Sequence, residues 1–109
     1  MSDQVKIYYI PIGAETYVPI TIDNIENYAQ KTCVLDYEDR TVRKVLRLLS
    51  DSSSDGIFDE QKIRVKIILP TNIVTYVDNY GGIRSTDYVT KKMSDATRTK
   101  VTKLLEKAC

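Results

Sequence analysis

The chain has no histidine and no tryptophan, and only one phenylalanine, two cysteines, three prolines and four glycines among 109 residues. Without histidine there is no Ser-His-Asp or Cys-His machinery, no imidazole ligand for zinc and no side chain that ordinarily titrates near neutrality. Two isolated cysteines, Cys33 and Cys109, cannot build a structural zinc site. The phosphate-cradling and nucleophile-elbow motifs GxGxxG, GxxxxGK(S/T) and GxSxG do not occur. Carboxylate pairs exist, but none stands in an apolar setting that would raise one pKa. The residues therefore point away from an enzyme and call for no cofactor, no metal and no small-molecule substrate. No apolar run approaches the roughly 20 residues of a membrane span, so no membrane partner is expected. Met1-Ser2-Asp3-Gln4 is not a positive segment leading into an apolar one, so no secretory signal is visible and a cytoplasmic location is expected. Two reduced thiols are then expected, Cys33 as a small buried hydrophobe and Cys109 as an exposed thiol. A bridge between them is the alternative, since proximity cannot be read from spacing.

What is present suits one globular domain over residues 1–109. Apolar residues make up 42% and charged residues 28%, values of a soluble protein rather than a disordered one. A chain this long hides roughly 65% of its unfolded surface, enough to fold without staples. The net charge of +1 conceals a gradient: residues 1–60 carry 6 Lys/Arg against 11 Asp/Glu, residues 61–109 carry 10 against 4.

Along the chain, Val5-Lys6-Ile7-Tyr8-Tyr9-Ile10 predicts a strand inside a sheet, ended by Pro11 and Gly13. Residues 22–31 predict a first helix, with Ile22, Ile25, Tyr28 and Ala29 on one face. Cys33-Val34-Leu35 reads as a short strand or a buried link. Residues 40–50 predict a second helix with Asp39 as N-cap, Val42, Val45, Leu46 and Leu49 as its apolar stripe, and Arg40, Arg43, Lys44 and Arg47 on a solvated face. Residues 62–89 predict a three-stranded antiparallel meander, with Ile63, Val65, Ile67 and Leu69 inward and Arg64 and Lys66 on the exposed face. Residues 95–108 predict a last helix capped by Ser94, with Val101, Leu104, Leu105 and Ala108 inward. The expected fold is α+β: the meander plus the N-terminal strand, with about three helices packed on one face.

Two loops stand out. Residues 51–62 imitate a calcium loop at Asp51, Ser53, Asp55, Gly56, Phe58 and Asp59, but the twelfth position, which needs a bidentate glutamate, is Lys62. A solvated acidic turn is expected, and a weak cation site is the alternative. Asp78-Asn79-Tyr80-Gly81 has the residues of a type I turn in a three-residue hairpin loop, which sets Val77 opposite Ile83 and Tyr76 opposite Arg84. Tyr80 is left at the tip, either folded back onto the sheet or offered as an interface anchor. Arg64, Lys66, Tyr76, Arg84, Tyr88, Lys91 and Lys92 make a basic, tyrosine-bearing stretch that could stack bases and hold phosphates. A net charge near zero argues against nucleic acid as the partner.

The opening Tyr8-Tyr9-Ile10-Pro11-Ile12, the Asp78-Asn79-Tyr80-Gly81-Gly82 hairpin and the closing amphipathic helix give a layout that resembles bacterial immunity proteins of the contact-dependent growth inhibition type. That resemblance implies a cytoplasmic antitoxin that binds one cognate toxin domain, often a nuclease, and occludes its active site or substrate route. Acidic loops complement a basic nuclease. Asp51, Asp55, Asp59 and Glu60, with Asp78 and Tyr80 at the hairpin, are accordingly the expected toxin-binding residues. A nucleic-acid-binding module using the basic sheet face is the alternative.

Overall fold

The apolar start of the chain becomes an interior strand. The computed structural model describes residues 3–54, 56–86 and 88–109, and every side chain among them except those of Tyr88 and Val89. Strand β1 (Gln4–Tyr9) pairs antiparallel with β2 (Lys31–Asp36) on one side and β3 (Ile63–Ile68) on the other, the interior place its two apolar faces predict. Strands β4 (Val74–Asp78), β5 (Gly82–Ser85) and β6 (Tyr88–Lys92) extend the sheet in the order β2-β1-β3-β4-β5-β6, with each adjacent pair antiparallel. The α+β class holds, and the expected meander is the middle of a larger six-stranded sheet. Its third strand is split: after Ser85 the Thr86 N–H bonds to the Val74 carbonyl and the chain returns as β6.

Helices α2 (Arg40–Ser50) and α3 (Asp95–Ala108) cover one sheet face. Both begin at the expected caps, where side-chain oxygens take up free N–H groups of the first turn. Asp39 accepts from the Thr41 and Val42 amides at 2.8 and 3.1 Å, and Ser94 accepts from Thr97 at 3.1 Å. Val42, Val45 and Leu49 of α2 and Val101 and Leu105 of α3 pack on Val5, Ile7, Tyr9, Val65, Ile67, Val77 and Ile83. Each fully buried branched side chain here stabilises by about 1.5–3 kcal/mol. None of the helices among the described residues is long and apolar enough to cross a membrane.

Not all helices share that face. Helix α1 (Ile25–Tyr28) is a single turn on the opposite side, where Ile25 packs with Tyr8, Ile10, Ile20, Phe58 and Ile63. The longer helix expected over residues 22–31 is cut short at both ends. Asn24 accepts the Thr21 amide and donates to the Pro19 carbonyl, local bonds that compete with helical ones. From Lys31 the backbone is taken up by β1 as edge strand β2. Ile22 and Tyr28 consequently stay exposed rather than forming an inward stripe.

The expected row along β3 is also broken. A register shift between Ile63 and Val65 turns Ile63 to the second cluster, while Val65, Ile67 and Leu69 face the first. Arg64 and Lys66 are not on an exposed face. Arg64 is 2% exposed beneath the connector of residues 11–19, donating from Nε and Nη2 to the Ala14 carbonyl and from Nη1 to the Ile63 carbonyl. The cysteine expectation is corrected too. Cys33 lies opposite Ile7 on the covered face, α3 delivers Cys109 beside it, and the two form a disulfide with Cα atoms 5.6 Å apart.

Candidate binding surface

Alternation along β4 and β5 decides what the uncovered face presents. With Val77 and Ile83 committed to the core beneath α2 and α3, Val74, Tyr76, Arg84 and Thr86 point the other way. The hairpin register is the expected one, Val77 opposite Ile83 and Tyr76 opposite Arg84. The segments before α1 and β3 rise on either side of this floor, and the resulting cleft has a volume of 580 Å³. Thr21, Ile22 and Asp23 make one wall, and Phe58, Glu60 and Gln61 the other. Phe58 is buried at the base under Arg84, whose guanidinium carbon lies 4.9 Å from the ring centroid. The Arg84 guanidinium also donates to Glu60, an ion pair at the mouth of the cleft.

Next to the cleft the same face carries a second paired cation. Lys66 donates to Glu26 of α1 at 2.5 Å, with its ammonium 5.8 and 6.0 Å from the Tyr76 and Tyr8 rings. Burial pulls the Lys66 pKa down, but the Glu26 hydrogen bond and the neighbouring tyrosines outweigh it, and the net direction is up. The same hydrogen bond holds the Glu26 carboxyl below its usual range. Lys6 lies over Tyr8 at 5.2 Å, and the Tyr8 hydroxyl raises its pKa. Arg64 behaves oppositely, since burial lowers its pKa and its hydrogen-bond acceptors are carbonyls.

The residues expected at an interface do not form one patch. Glu60 reaches the cleft. Asp51 ends α2 at the far edge, where Ser53 bridges to Lys92 of β6. Asp59 is half-buried and accepts the Gln61 amide at 3.0 Å. Asp55 lies outside the described residues, as does the Tyr88 side chain. Asp78 is only 1% exposed, so it is a framework group rather than a contact surface. Its carboxylate accepts the amides of Asp59, Tyr80 and Gly82 at 2.8, 2.8 and 2.7 Å, tying the loop before β3 to the hairpin. Gly82 is required there, because a Cβ would sit 2.5 Å from an Asp78 oxygen. Gly81 supplies the left-handed residue of the turn at φ +91. Tyr80 leans on the side chain of Lys62, the residue before β3, whose ammonium lies 5.1 Å from the ring centroid. It is 47% exposed and its hydroxyl accepts from Lys62 Nζ at 2.6 Å.

Ile22, Phe58, Val74 and Thr86 were not singled out as site residues by sequence reasoning. For Val74 and Thr86 a signal existed in the alternation that places them with Tyr76 and Arg84. Phe58 and Ile22 carried none, since they arrive from other segments. Among the described residues no group of three or more His, Cys, Asp and Glu side chains is placed to hold a metal ion. The surface combines Val74 and Tyr76 on its floor, the Phe58 ring at its base and a rim of paired charges. Compared with protein-family models, with curated proteins and with solved structures, the chain matches none.

Proposed function

We propose that this protein acts by binding another protein, as an immunity protein that docks on a cognate toxin domain and blocks its active site or substrate route. The observation that carries the reading is the asymmetry of the sheet. Helices α2 and α3 seal one face, and the other keeps a 580 Å³ cleft with an apolar floor and a polar rim. Protein interfaces are built this way, with aromatic and apolar anchors inside and charges at the edge. Val74 and Tyr76 give the floor its apolar part, Phe58 lies at the base of one wall, Ile22 adds exposed apolar area on the other, and Glu60 is the expected acidic residue that reaches this face. The role needs no catalytic group, cofactor or metal, and the cytoplasmic location expected from the sequence belongs to it.

The nucleic-acid alternative draws less from the same surface. Lys66 and Arg84 already hold Glu26 and Glu60, so a phosphate would have to displace a carboxylate from each. Tyr8 is too buried to stack on a base.

The test pairs the chain with the toxin domain encoded beside it, read by calorimetry and by growth rescue on co-expression. A one-to-one complex and restored growth are expected, and Tyr76→Ala or Arg84→Glu should weaken binding about 30-fold, the ~2 kcal/mol of an interface hot spot. Absence of binding to that toxin rejects the immunity role; unchanged affinity in both variants rejects this face as the docking surface.

A further inference from the structure

The helical layer on the opposite side of the sheet has a property that the chain's net charge hides. Helix α2 contains Arg40, Arg43, Lys44 and Arg47 and no acidic residue. Helix α3 contains Arg98, Lys100, Lys103 and Lys107 against Asp95 and Glu106. Eight cations against two carboxylates make this layer +6 in a chain of net +1, so all remaining residues together carry −5. The acidic half of the sequence donates its one strongly basic helix to the basic half, and the fold lays the two side by side.

Along the seam a groove of 470 Å³ runs between the helices, lined by Lys44, Arg47, Leu48, Lys100, Lys103 and Leu104. Spacings of three and four residues put each set on one stripe facing the seam. In the same two helices Arg43 is paired with Glu38 and Arg98 with Asp95, and on the other face Lys66 is paired with Glu26 and Arg84 with Glu60. Lys44, Arg47, Lys100 and Lys103 have no ion pair, hydrogen bond or ring contact among the described residues. Leu48 and Leu104 are half-buried, packed against the core from outside and forming the groove's apolar floor.

We infer that this groove is a second docking site, and that its occupant is an acidic segment of a partner protein that carries an apolar side chain between its carboxylates. The cations meet the carboxylates and the two leucines meet the apolar anchor, the arrangement of an amphipathic helix in a groove. A nucleic-acid backbone offers phosphates but nothing apolar for the leucines, and no aromatic side chain lines the groove for a base to stack on. A lipid surface would need protruding apolar side chains, and these leucines are half-buried against the core. The site lies across the sheet from the cleft and does not depend on the reading given to that cleft.

The experiment is fluorescence anisotropy with a short labelled helical peptide that has leucines on one face flanked by glutamates. Saturable binding is expected, weakened at least tenfold by Lys44→Glu/Lys103→Glu and at least threefold when salt rises from about 0.05 to 0.2 M. The exposed lysines leave the core intact, and an unchanged melting midpoint in the double variant checks this. Leu104→Asn tests the apolar floor and should also weaken binding at least threefold. The inference is overturned if the double variant binds as well as the original chain, or if polyglutamate or single-stranded RNA binds as tightly as the leucine-bearing peptide. It is equally overturned if the chain dimerises and the double variant dissolves the dimer, which would assign the groove to a second copy.

Discussion

Opening the Cys33–Cys109 bond is the perturbation whose magnitude the structure defines best. The bond joins edge strand β2 to the end of α3 across a sequence separation of 76 residues. Chain-entropy arithmetic for a loop of that length gives about 4.5 kcal/mol of stabilisation, exerted mainly by restricting the unfolded chain. Single domains of this size are stable by only about 5–15 kcal/mol, so the loss would leave the fold marginal. At about 4 °C per kcal/mol for a domain of roughly 100 residues, reduction should lower the melting midpoint by about 15–20 °C. Urea unfolding with and without reductant measures it, and a Cys33→Ser/Cys109→Ser variant should match the reduced protein in both conditions. The oxidised chain should also show the smaller denaturant slope, because its unfolded state is more compact. Reduced and oxidised proteins within about 1 kcal/mol of each other would refute the reasoning, since the cross-link would then constrain nothing that unfolding releases. Alkylating thiols in intact cells before lysis extends the test to location. Protected cysteines place the protein in an oxidising compartment, against the expected cytoplasmic one, and labelled cysteines place it in a reducing one.

Two further predictions concern buried polar groups. Asp78→Ala removes a carboxylate that satisfies three amides and should cost about 3–5 kcal/mol in urea unfolding, with Asp78→Asn costing less because one acceptor oxygen remains. A loss under about 1 kcal/mol for the alanine variant would show that water replaces it freely. Tyr9 is buried with its hydroxyl donating to Glu106, and burial, then the Glu106 charge, push its pKa up to about 12 from 10.0. A folded pKa above the unfolded one contributes stability that is complete below pH 10 and lost as pH rises towards 12. Tyrosinate absorbance should therefore show one late-ionising phenol that Tyr9→Phe removes; a titration unchanged by that substitution would contradict it.

The hairpin of residues 78–82 shows how far sequence reasoning reaches on its own. Its turn and pairing follow from Asp78 and Gly81, because an Asx-type side chain and a left-handed glycine act within four residues. The same residues illustrate where that reasoning stops: Asp78 was expected at an interface, yet its second oxygen is taken by the Asp59 amide, which lies 19 residues away. The basic stretch behaves alike. Arg64 and Lys66 read as an exposed pair until the connector of residues 11–19 and the turn of α1 fold over them. Of the expected interface, Glu60 reached the candidate cleft and Tyr80 stayed exposed; the rest of the cleft was assembled from three segments whose meeting no local pattern announces.

By itself, the sequence determined the α+β class, both long helices with their caps, the interior position of β1 and the register of β4 on β5. Each of those is set by caps, turns and side-chain periods acting over a few residues. Only the tertiary structure decided that β2 joins the sheet, that α1 shrinks to one turn on the far face, that Arg64 is buried and that Cys33 meets Cys109. It also decided that α2 and α3 lie together, pooling positive charge that the chain's total conceals. These outcomes depend on which surfaces bury against each other between residues some 22 to 76 positions apart, and burial is a property of the packed whole.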